Sequence, residues 1–346
     1  MVAPRVAIIT DTHFGFRKGS QVFHDYFEKF YREIFFPTLD QENITTVIHL
    51  GDCFDVRKGI DYWSLDWAKR VFFNPLRERN ISVHIIIGNH DAAYKNTLRL
   101  NAPGLNLQEY PNVTCYETPQ DVSIQNENVF FIPWICEDNA EAFVQARDSS
   151  QATVAMGHLE ISGFYANQNY VCEHGTDAGV FSQFSTVFSG HFHKKNSSGN
   201  ITYLGNPYQL FWIDEGDTRG FHLFSLDTKE LEFIPNPAPI FHKIYYNEEK
   251  LPTDLDKYKD SYIKLIVEKS TPKKFTNFVD KLYKVGIVDL KVIESFEVNV
   301  DDDVEVQAED TLTTLTNYVS ALDGDNLNKT NLVEILKSIY IEAQEV

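Results

Sequence analysis

Three short apolar runs open the chain, and each ends in a polar cluster. Val6-Ala7-Ile8-Ile9-Thr10 leads into Asp11-Thr12-His13, and Thr46-Val47-Ile48-His49-Leu50 into Gly51-Asp52-Cys53-Phe54-Asp55. The third, Ser82-Val83-His84-Ile85-Ile86-Ile87, leads into Gly88-Asn89-His90-Asp91. Apolar runs of this length bounded by turn residues read as buried strands. The segments between them have helical spacing. Residues 21–40 carry Phe23, Phe27, Phe30, Ile34 and Phe35 as an aromatic stripe, which is far more often core than cofactor site. Residues 62–80 read as a second helix, which Pro75 is expected to break or end. This alternation predicts a parallel sheet covered by helices, with ligands outside the carboxyl ends of its strands.

Further on the strands crowd together. Strands are expected at 113–117, 122–125, 129–132, 153–156, 186–189, 201–204 and 220–226, with a helix at 137–147. The fifth ends in Gly190-His191-Phe192-His193 and the fourth in Gly157-His158. The expected class is therefore α/β (α+β): two sheets packed face to face with helices outside, over residues 1–238. Pro235, Pro237 and Pro239 mark a boundary. Residues 239–300 read as a small α+β domain with strands at 261–268 and 290–298 and a helix at 272–285. An acidic linker follows at 301–310. The last segment, 311–346, carries two short amphipathic helices. Such a pair has little core of its own, so it is read as docking on a partner; packing back on the main domain is the alternative.

Composition narrows the class. The chain has 346 residues, 43% hydrophobic and 23% charged, which fits a soluble globular protein with room for two domains. Its net charge of -19 disfavours a broad basic coat for nucleic acid. It leaves open a local basic groove, or a metal site that neutralises phosphate. The four cysteines, Cys53, Cys115, Cys136 and Cys172, form no CxxC pair. Reduced thiols in the cytoplasm are expected, not disulfides or a thiolate zinc site. No signal peptide and no run of about 18 apolar residues is seen, so no membrane is expected.

The strand-end groups Asp11, His13, Asp52, Asn89, His158, His191 and His193 are oxygen and nitrogen ligands without sulfur. They suit manganese, iron or zinc. Seven are too many for one open site and suit two metals sharing a carboxylate, an arrangement for in-line phosphoryl displacement. Alone, Asp11-Thr12-His13 could be a capping Asp with a surface His, and Gly157-His158 a structural His. Alternating His191 and His193 project the same way from a strand end, which is a stronger signal. The ordered set of five clusters is the specific one.

That order resembles the calcineurin-like metallophosphoesterase superfamily, and most closely its SbcD-type DNA nucleases, especially the recombination exonuclease subunits of tailed phages. The stretches GDCFDVRKGI, IIIGNHDAAYKN, FIPWICED, MGHLEISGFY, FSGHFH and ITYLGNPYQL carry the resemblance. Serine/threonine phosphatases usually show GDxxDRG and GNHE; Val56-Arg57-Lys58 and Asp91 depart from both. The resemblance implies a two-sheet sandwich with a small capping domain and a C-terminal helix pair. It implies two divalent ions, manganese with magnesium as the alternative, bridged by Asp52. Asp11, His13 and His193 would complete one ion, and Asn89, His158 and His191 the other. His90 would act at the leaving oxygen as acid or charge stabiliser, with Asp55 orienting it. Residues 239–300 would help position DNA.

The implied partners are DNA, a second copy of the chain, and an SMC-like coiled-coil ATPase docked through 311–346. The implied setting is the cytoplasm, that of the host if a phage encodes the chain. Arg57, Lys58, Lys95 and Arg99 flank the motif loops and could hold the DNA backbone, although solvated surface charge is the commoner use. Tyr165 and Tyr208 follow late motifs and could stack on a base, although packing is commoner. The leading expectation is a metal-dependent DNA exonuclease/endonuclease subunit of an ATP-driven recombination and repair complex. The alternative is a stand-alone phosphomonoesterase or cyclic phosphodiesterase, for which the last segment has no evident use. A non-enzymatic scaffold is a third reading, disfavoured because no ligand position is lost.

Overall fold

The computed structural model describes residues 5–167 and 170–294, together with residues 319, 329, 332, 333 and 336. One compact unit spans Met1–Val292 and a second Ile293–Val346. Apart from those five residues, the expected linker at 301–310 and helix pair at 311–346 lie outside the described residues. So does the end of the strand expected at 290–298.

Strands β1 (Arg5–Ile9), β2 (Thr46–His49) and β3 (Ser82–Ile86) alternate with helices, as their apolar runs predict. A short hairpin follows, β4 (Ala92–Tyr94) and β5 (Thr97–Asn101), which the sequence reading missed. Then come β6 (Val113–Tyr116), β7 (Gln120–Ile124), β8 (Glu127–Ile132), β9 (Val154–His158), β10 (Thr186–Gly190), β11 (Asn196–Ser198), β12 (Ile201–Tyr203), β13 (Gly220–Ser225) and β14 (Leu231–Pro235). They build two six-stranded sheets, ordered β14-β13-β1-β2-β3-β6 and β11-β12-β10-β9-β8-β7. Within the first, β1, β2, β3 and β6 run parallel; within the second, β8, β9, β10 and β12 do. The site loops leave the carboxyl ends of the parallel strands.

The central strands of the first sheet, β1, β2 and β3, are largely buried on both faces, so they read as mostly apolar runs. Alternate residues serve different cores, because side chains in a strand point to opposite faces. Val6, Ile8, Ile48 and Ile86 meet Phe131, Met156 and Phe188 of the second sheet. Ala7, Ile9, Val47, Val83 and Ile85 face the helices, where Phe23, Phe27, Phe30, Tyr31, Phe35, Trp67, Phe72 and Phe73 fill the space. The stripe of residues 21–35 is therefore core. Each buried Phe contributes roughly 2–3 kcal/mol, so this layer is what holds the first sheet rigid. The outer face of the second sheet is covered by Phe143 of helix Ala140–Ser149.

The two helices over the first sheet share an interruption. Each contains a π-turn, Tyr31–Phe35 in one and Lys69–Phe73 in the other, and continues as α-helix past Pro37 or Pro75. The α-helix expected to break or end at Pro75 is thus interrupted just before it but resumes through it. The N–H of Asn74 reaches back to the Lys69 carbonyl, and that of Phe36 to Tyr31. This i→i−5 closure widens the turn just before each proline, where an α-helix would clash with the ring. Helix 137–147 starts later than expected, at Ala140, because Asn139 turns its side chain back to the loop before it.

The region after the prolines forms a three-stranded sheet, β15 (Phe241–Asn247), β16 (Tyr262–Lys269) and β17 (Asp289–Glu294), in the order β15-β16-β17. Helix Pro272–Val285 packs Phe278 and Leu282 against Ile244, Tyr246, Ile263 and Leu265. Tyr262 stacks on Phe23 and Phe241 packs on Trp212, which joins this sheet to the larger body. Among the described residues, no helix is long and apolar enough to cross a membrane.

Candidate metal centre

Five loops converge at one edge of the sandwich. Beyond β1 and β2 the backbones stay paired: Asp11 N–H donates to the Gly51 carbonyl at 3.0 Å, His13 N–H to Asp52 at 3.1 Å and Phe14 N–H to Cys53 at 2.9 Å. Pairing beyond the strands forces the loops into unusual conformations. Asp11, His13, Asp52 and His191 all have positive φ, at 52°, 44°, 51° and 84°. Each such residue costs of the order of 1–3 kcal/mol, a strain that the surrounding structure must override. The loops are also clamped by the carboxylates. His90 N–H donates to Asp52 Oδ1 at 2.7 Å, and His191 N–H to Asp11 Oδ1 at 3.1 Å. Two motif glycines make this possible by close approach. A Cβ on Gly88 would overlap the Asp52 carboxylate, and one on Gly190 would overlap the Thr10 hydroxyl.

Three groups of side chains bring their ligand atoms within 4.8 Å of one another: Asp11, His13 and His193; Asp52, His158 and His191; and His13, Asp55 and His90. Asn89 joins the second, with Oδ1 2.9 Å from His158 Nε2 and 3.0 Å from His191 Nδ1. All seven expected ligand positions thus come together.

The ring nitrogens show what these groups can hold. His158 Nδ1 lies 2.8 Å from the Leu50 carbonyl, which can only accept, so Nδ1 carries the proton. Its Nε2 lone pair then faces two oxygens, Asp52 Oδ2 at 3.1 Å and Asn89 Oδ1 at 2.9 Å. Only a proton or a cation between them makes that arrangement favourable. His13 repeats the pattern: Nδ1 lies 3.1 Å from Asp55 Oδ1, while Nε2 faces His193 Nε2 at 3.1 Å. A partner on one nitrogen that aims the other inward is how metal-ligating histidines are held. The set is oxygen and imidazole only, buried, and convergent, so the residues fit divalent cations.

The charges of the cation-free chain carry the same signature. For His13 and His158, burial opposes protonation, but the facing carboxylates outweigh it and raise both to about 9. For His158 the leading carboxylate is Asp52; for His13 it is Asp55. Burial and the charge of His158 push His191 down to about 3, and burial with His13 holds His193 well below its ordinary value. In each group one imidazole takes a proton and its neighbour gives it up. A bound cation would take that proton's place.

The resemblance implied that Asp55 would orient His90, and the structure distributes the contact differently. The Asp55 carbonyl accepts from His90 Nδ1 at 2.7 Å, while its carboxylate holds His13. Asp55→Asn should therefore weaken metal affinity about 10–100-fold, as loss of an outer partner to a ligating histidine does. Titrating activity against manganese checks this, and an unchanged half-saturation would remove Asp55 from that role.

Several supporting residues carried no signal in the sequence reading. The Asp91 carboxylate, buried, accepts from the N–H groups of Phe54 and Gly88, both at 3.0 Å, and ties two motif loops together. Its place in the GNHD motif could have marked it. Burial and Asp52 raise its pKa to about 6. His49, lowered to about 3 by burial and His158, lies 2.9 Å from the Thr12 hydroxyl. Arg219, 26 residues beyond His193, is buried and donates to the His193 carbonyl, to Asn206 at 2.6 Å and to Asp214 at 2.7 Å. Trp134 stands 4.9 Å from the His191 ring.

The expected DNA-contacting residues are scattered more widely. Arg57 is half-buried and close enough to His191 for its charge to lower that ring's pKa. Lys58 and Lys95 are exposed. Arg99 is exposed but paired with Asp138 at 3.2 Å. Tyr208 cannot stack on a base: it is fully buried, lies on Phe27 at 3.7 Å and donates its hydroxyl to the Thr12 carbonyl at 2.5 Å. Tyr165 is 47% exposed, with Lys194 over its ring.

A two-sheet sandwich that gathers buried Asp, Asn and His at its parallel strand ends defines a metal-dependent phosphoesterase. The family model "Calcineurin-like phosphoesterase" matches residues 4–195, and the chain belongs to that family. Among curated relatives, it is 33% identical over 308 residues to "Exonuclease subunit 1" of Enterobacteria phage T4, covering 88% of this chain and 89% of that protein. It is 23% identical over 372 aligned positions to "DNA double-strand break repair protein Mre11" of Methanocaldococcus jannaschii, covering 96% and 97%. A nuclease-type phosphodiester hydrolase is the class these similarities support.

Proposed function

We propose that the chain is the nuclease subunit of an ATP-driven DNA recombination and repair complex, hydrolysing DNA phosphodiester bonds at two divalent cations. The observation that most supports this is the convergence of lone pairs described above, which only protons or cations can hold together. Asp11, His13 and His193 would hold one cation; Asn89, His158 and His191 the other; Asp52 would be shared. Manganese is the favoured ion and magnesium the alternative. When bound, such a pair polarises the phosphoryl oxygens and acidifies an attacking water. His90, its Nδ1 proton committed to the Asp55 carbonyl, turns Nε2 to the leaving oxygen and supplies a proton or positive charge there. Asp55 fixes His13, and Asp91 holds the loops that carry Asp52 and His90.

The names of the two relatives support DNA as the substrate. So does a basic face on the small sheet, in a chain of net charge -19. Ile263 and Leu265 point into that domain's core, which sends Lys264 to the opposite face, in register with Lys243. Lys264 lies 4.1 Å over the Trp212 ring; burial, then Lys291 and Lys243, lower its pKa. Glu215 offsets part of this charge, pairing with Lys243 at 2.7 Å, and the remainder suits a polyanion. The remaining assignments are a homodimer, an SMC-like ATPase docked through 311–346, and action in the cytoplasm of a host cell. The exposed Tyr62 and Trp63 offer a surface for the first.

The test is cleavage of labelled duplex and single-stranded DNA by the purified chain in Mn²⁺, Mg²⁺ or EDTA, with para-nitrophenyl phosphate in parallel. Metal-dependent cutting of DNA that EDTA stops is expected. Efficient hydrolysis of the small monoester with intact DNA would instead assign a stand-alone phosphatase.

A further inference from the structure

Beside the centre lies a half-open cavity of roughly 200 Å³, lined by Trp134, Ile135, Leu159, Glu160, Gly175 and Thr176. From its position and lining we infer that it receives the nucleobase of the nucleotide whose phosphate is being cut. The inference deepens the phosphodiesterase reading of the same centre and rests on it.

The cavity adjoins the site through Trp134. The Trp134 ring is 4.9 Å from His191 and 6.2 Å from His158, so one residue borders both the ligand group and the pocket. Its shelf is fixed before any ligand arrives. Trp134 N–H donates to the Ile87 carbonyl at 2.9 Å, and the Trp134 carbonyl accepts from Asn139 Nδ2 at 2.9 Å. Asn139, itself buried, uses its other amide atom to accept the Cys136 N–H at 2.8 Å. The far wall is equally set: Thr176 N–H donates to the Glu160 carbonyl at 2.9 Å, and Ser162 N–H to the Thr176 carbonyl at 3.2 Å. At Gly175 a Cβ would come within 2.9 Å of the Glu160 carbonyl oxygen and of Ser162 N, so that wall admits only glycine without shifting.

The lining chooses the occupant. An indole with Ile135 and Leu159 offers an apolar slot, while peptide edges and Thr176 offer polar atoms at its side. A flat ring with hydrogen-bonding edges matches both. The volume suits one ring system and is too small for a drug-sized ligand.

The experiment compares two small diesters that differ only in the base: thymidine 5′-(p-nitrophenyl phosphate) and the baseless 2-deoxyribose 5′-(p-nitrophenyl phosphate). The readout is the ratio of their kcat/KM values in manganese. A stacked base is worth roughly 5–150-fold, so a ratio of at least about 10 is expected for the wild type. Trp134→Leu should bring the ratio toward one. Thr176→Phe, which fills the cavity from the opposite wall, should do the same and covers the case in which the first variant folds poorly. A wild-type ratio near one, or a ratio that survives both variants, overturns the inference. Failure to cut DNA would overturn the nuclease reading alone, because the two small diesters still report on the pocket.

Discussion

Asp52→Asn is expected to reduce DNA cleavage by on the order of 10³-fold or more, with the fold intact. The side chain is isosteric, and an amide oxygen can still accept the His90 N–H that Asp52 Oδ1 accepts at 2.7 Å. What disappears is a buried charge facing His158 at 3.1 Å and acting on Asp11, His13 and His191 as well. Burial opposes the ionised form, but His158 and His90 lead in holding the Asp52 pKa well below its ordinary value, so it is a carboxylate at neutral pH. Removing even one preorganised electrostatic group from an active site costs about 10²–10³-fold, and a carboxylate proposed to be shared by two cations should cost at least that. Asp11→Asn provides the contrast, because in the proposed assignment Asp11 holds one cation, with His13 and His193, whereas Asp52 touches both. Metal analysis of the purified variants should find both cations weakened in Asp52→Asn and one in Asp11→Asn. Cleavage within 10-fold of wild type, or unchanged metal content, would remove Asp52 from the shared position.

The legible part of this protein is the part written in apolar runs. β1, β2 and β3 fall where their sequences place them, because strands buried on both faces read as near-continuous apolar runs. The polar clusters after them stand out against that background, which is why the seven candidate ligand positions that converge in the fold could be named without coordinates. Weak patterns were lost. The hairpin β4–β5 alternates small, polar and apolar residues over three and five positions, too short for a period to show. Strand β15 follows closely on Pro235, Pro237 and Pro239, and four of its seven residues lie outside the core. A family resemblance likewise gives proximity without saying which atom makes contact. Asp55 was placed near His90, yet it is the carbonyl that reaches His90 while the carboxylate reaches His13. Arg219 was invisible for another reason: it arrives from the start of a strand in the other sheet, through contacts that no local pattern encodes. Tyr208 failed for the converse reason, since an aromatic near a motif can equally be the floor beneath it.

His90→Asn is expected to lower DNA cleavage by about 10²–10³-fold while leaving metal content unchanged, the range in which a positioned proton donor acts. The two halves of that result have different structural origins. The contact that His90 makes to Asp52 comes from its main-chain N–H, so the carboxylate keeps its partner in any side-chain variant. The imidazole is half-buried and packs edge-on to His13 at 5.0 Å, and its Nδ1 is occupied by the Asp55 carbonyl. Only Nε2 remains for the substrate. If that nitrogen delivers a proton to the departing sugar oxygen, the loss must shrink when the leaving group needs none. A p-nitrophenyl diester releases p-nitrophenolate, a stable anion, so the variant should recover most of its deficit on it. The contrary outcome is concrete as well. His90 also lies within 4.8 Å of ligand atoms on His13 and Asp55. If His90→Asn loses metal, and is equally slow on DNA and on the activated diester, its imidazole is a ligand and not the acid. Measuring both substrates and metal content on one preparation separates the two roles.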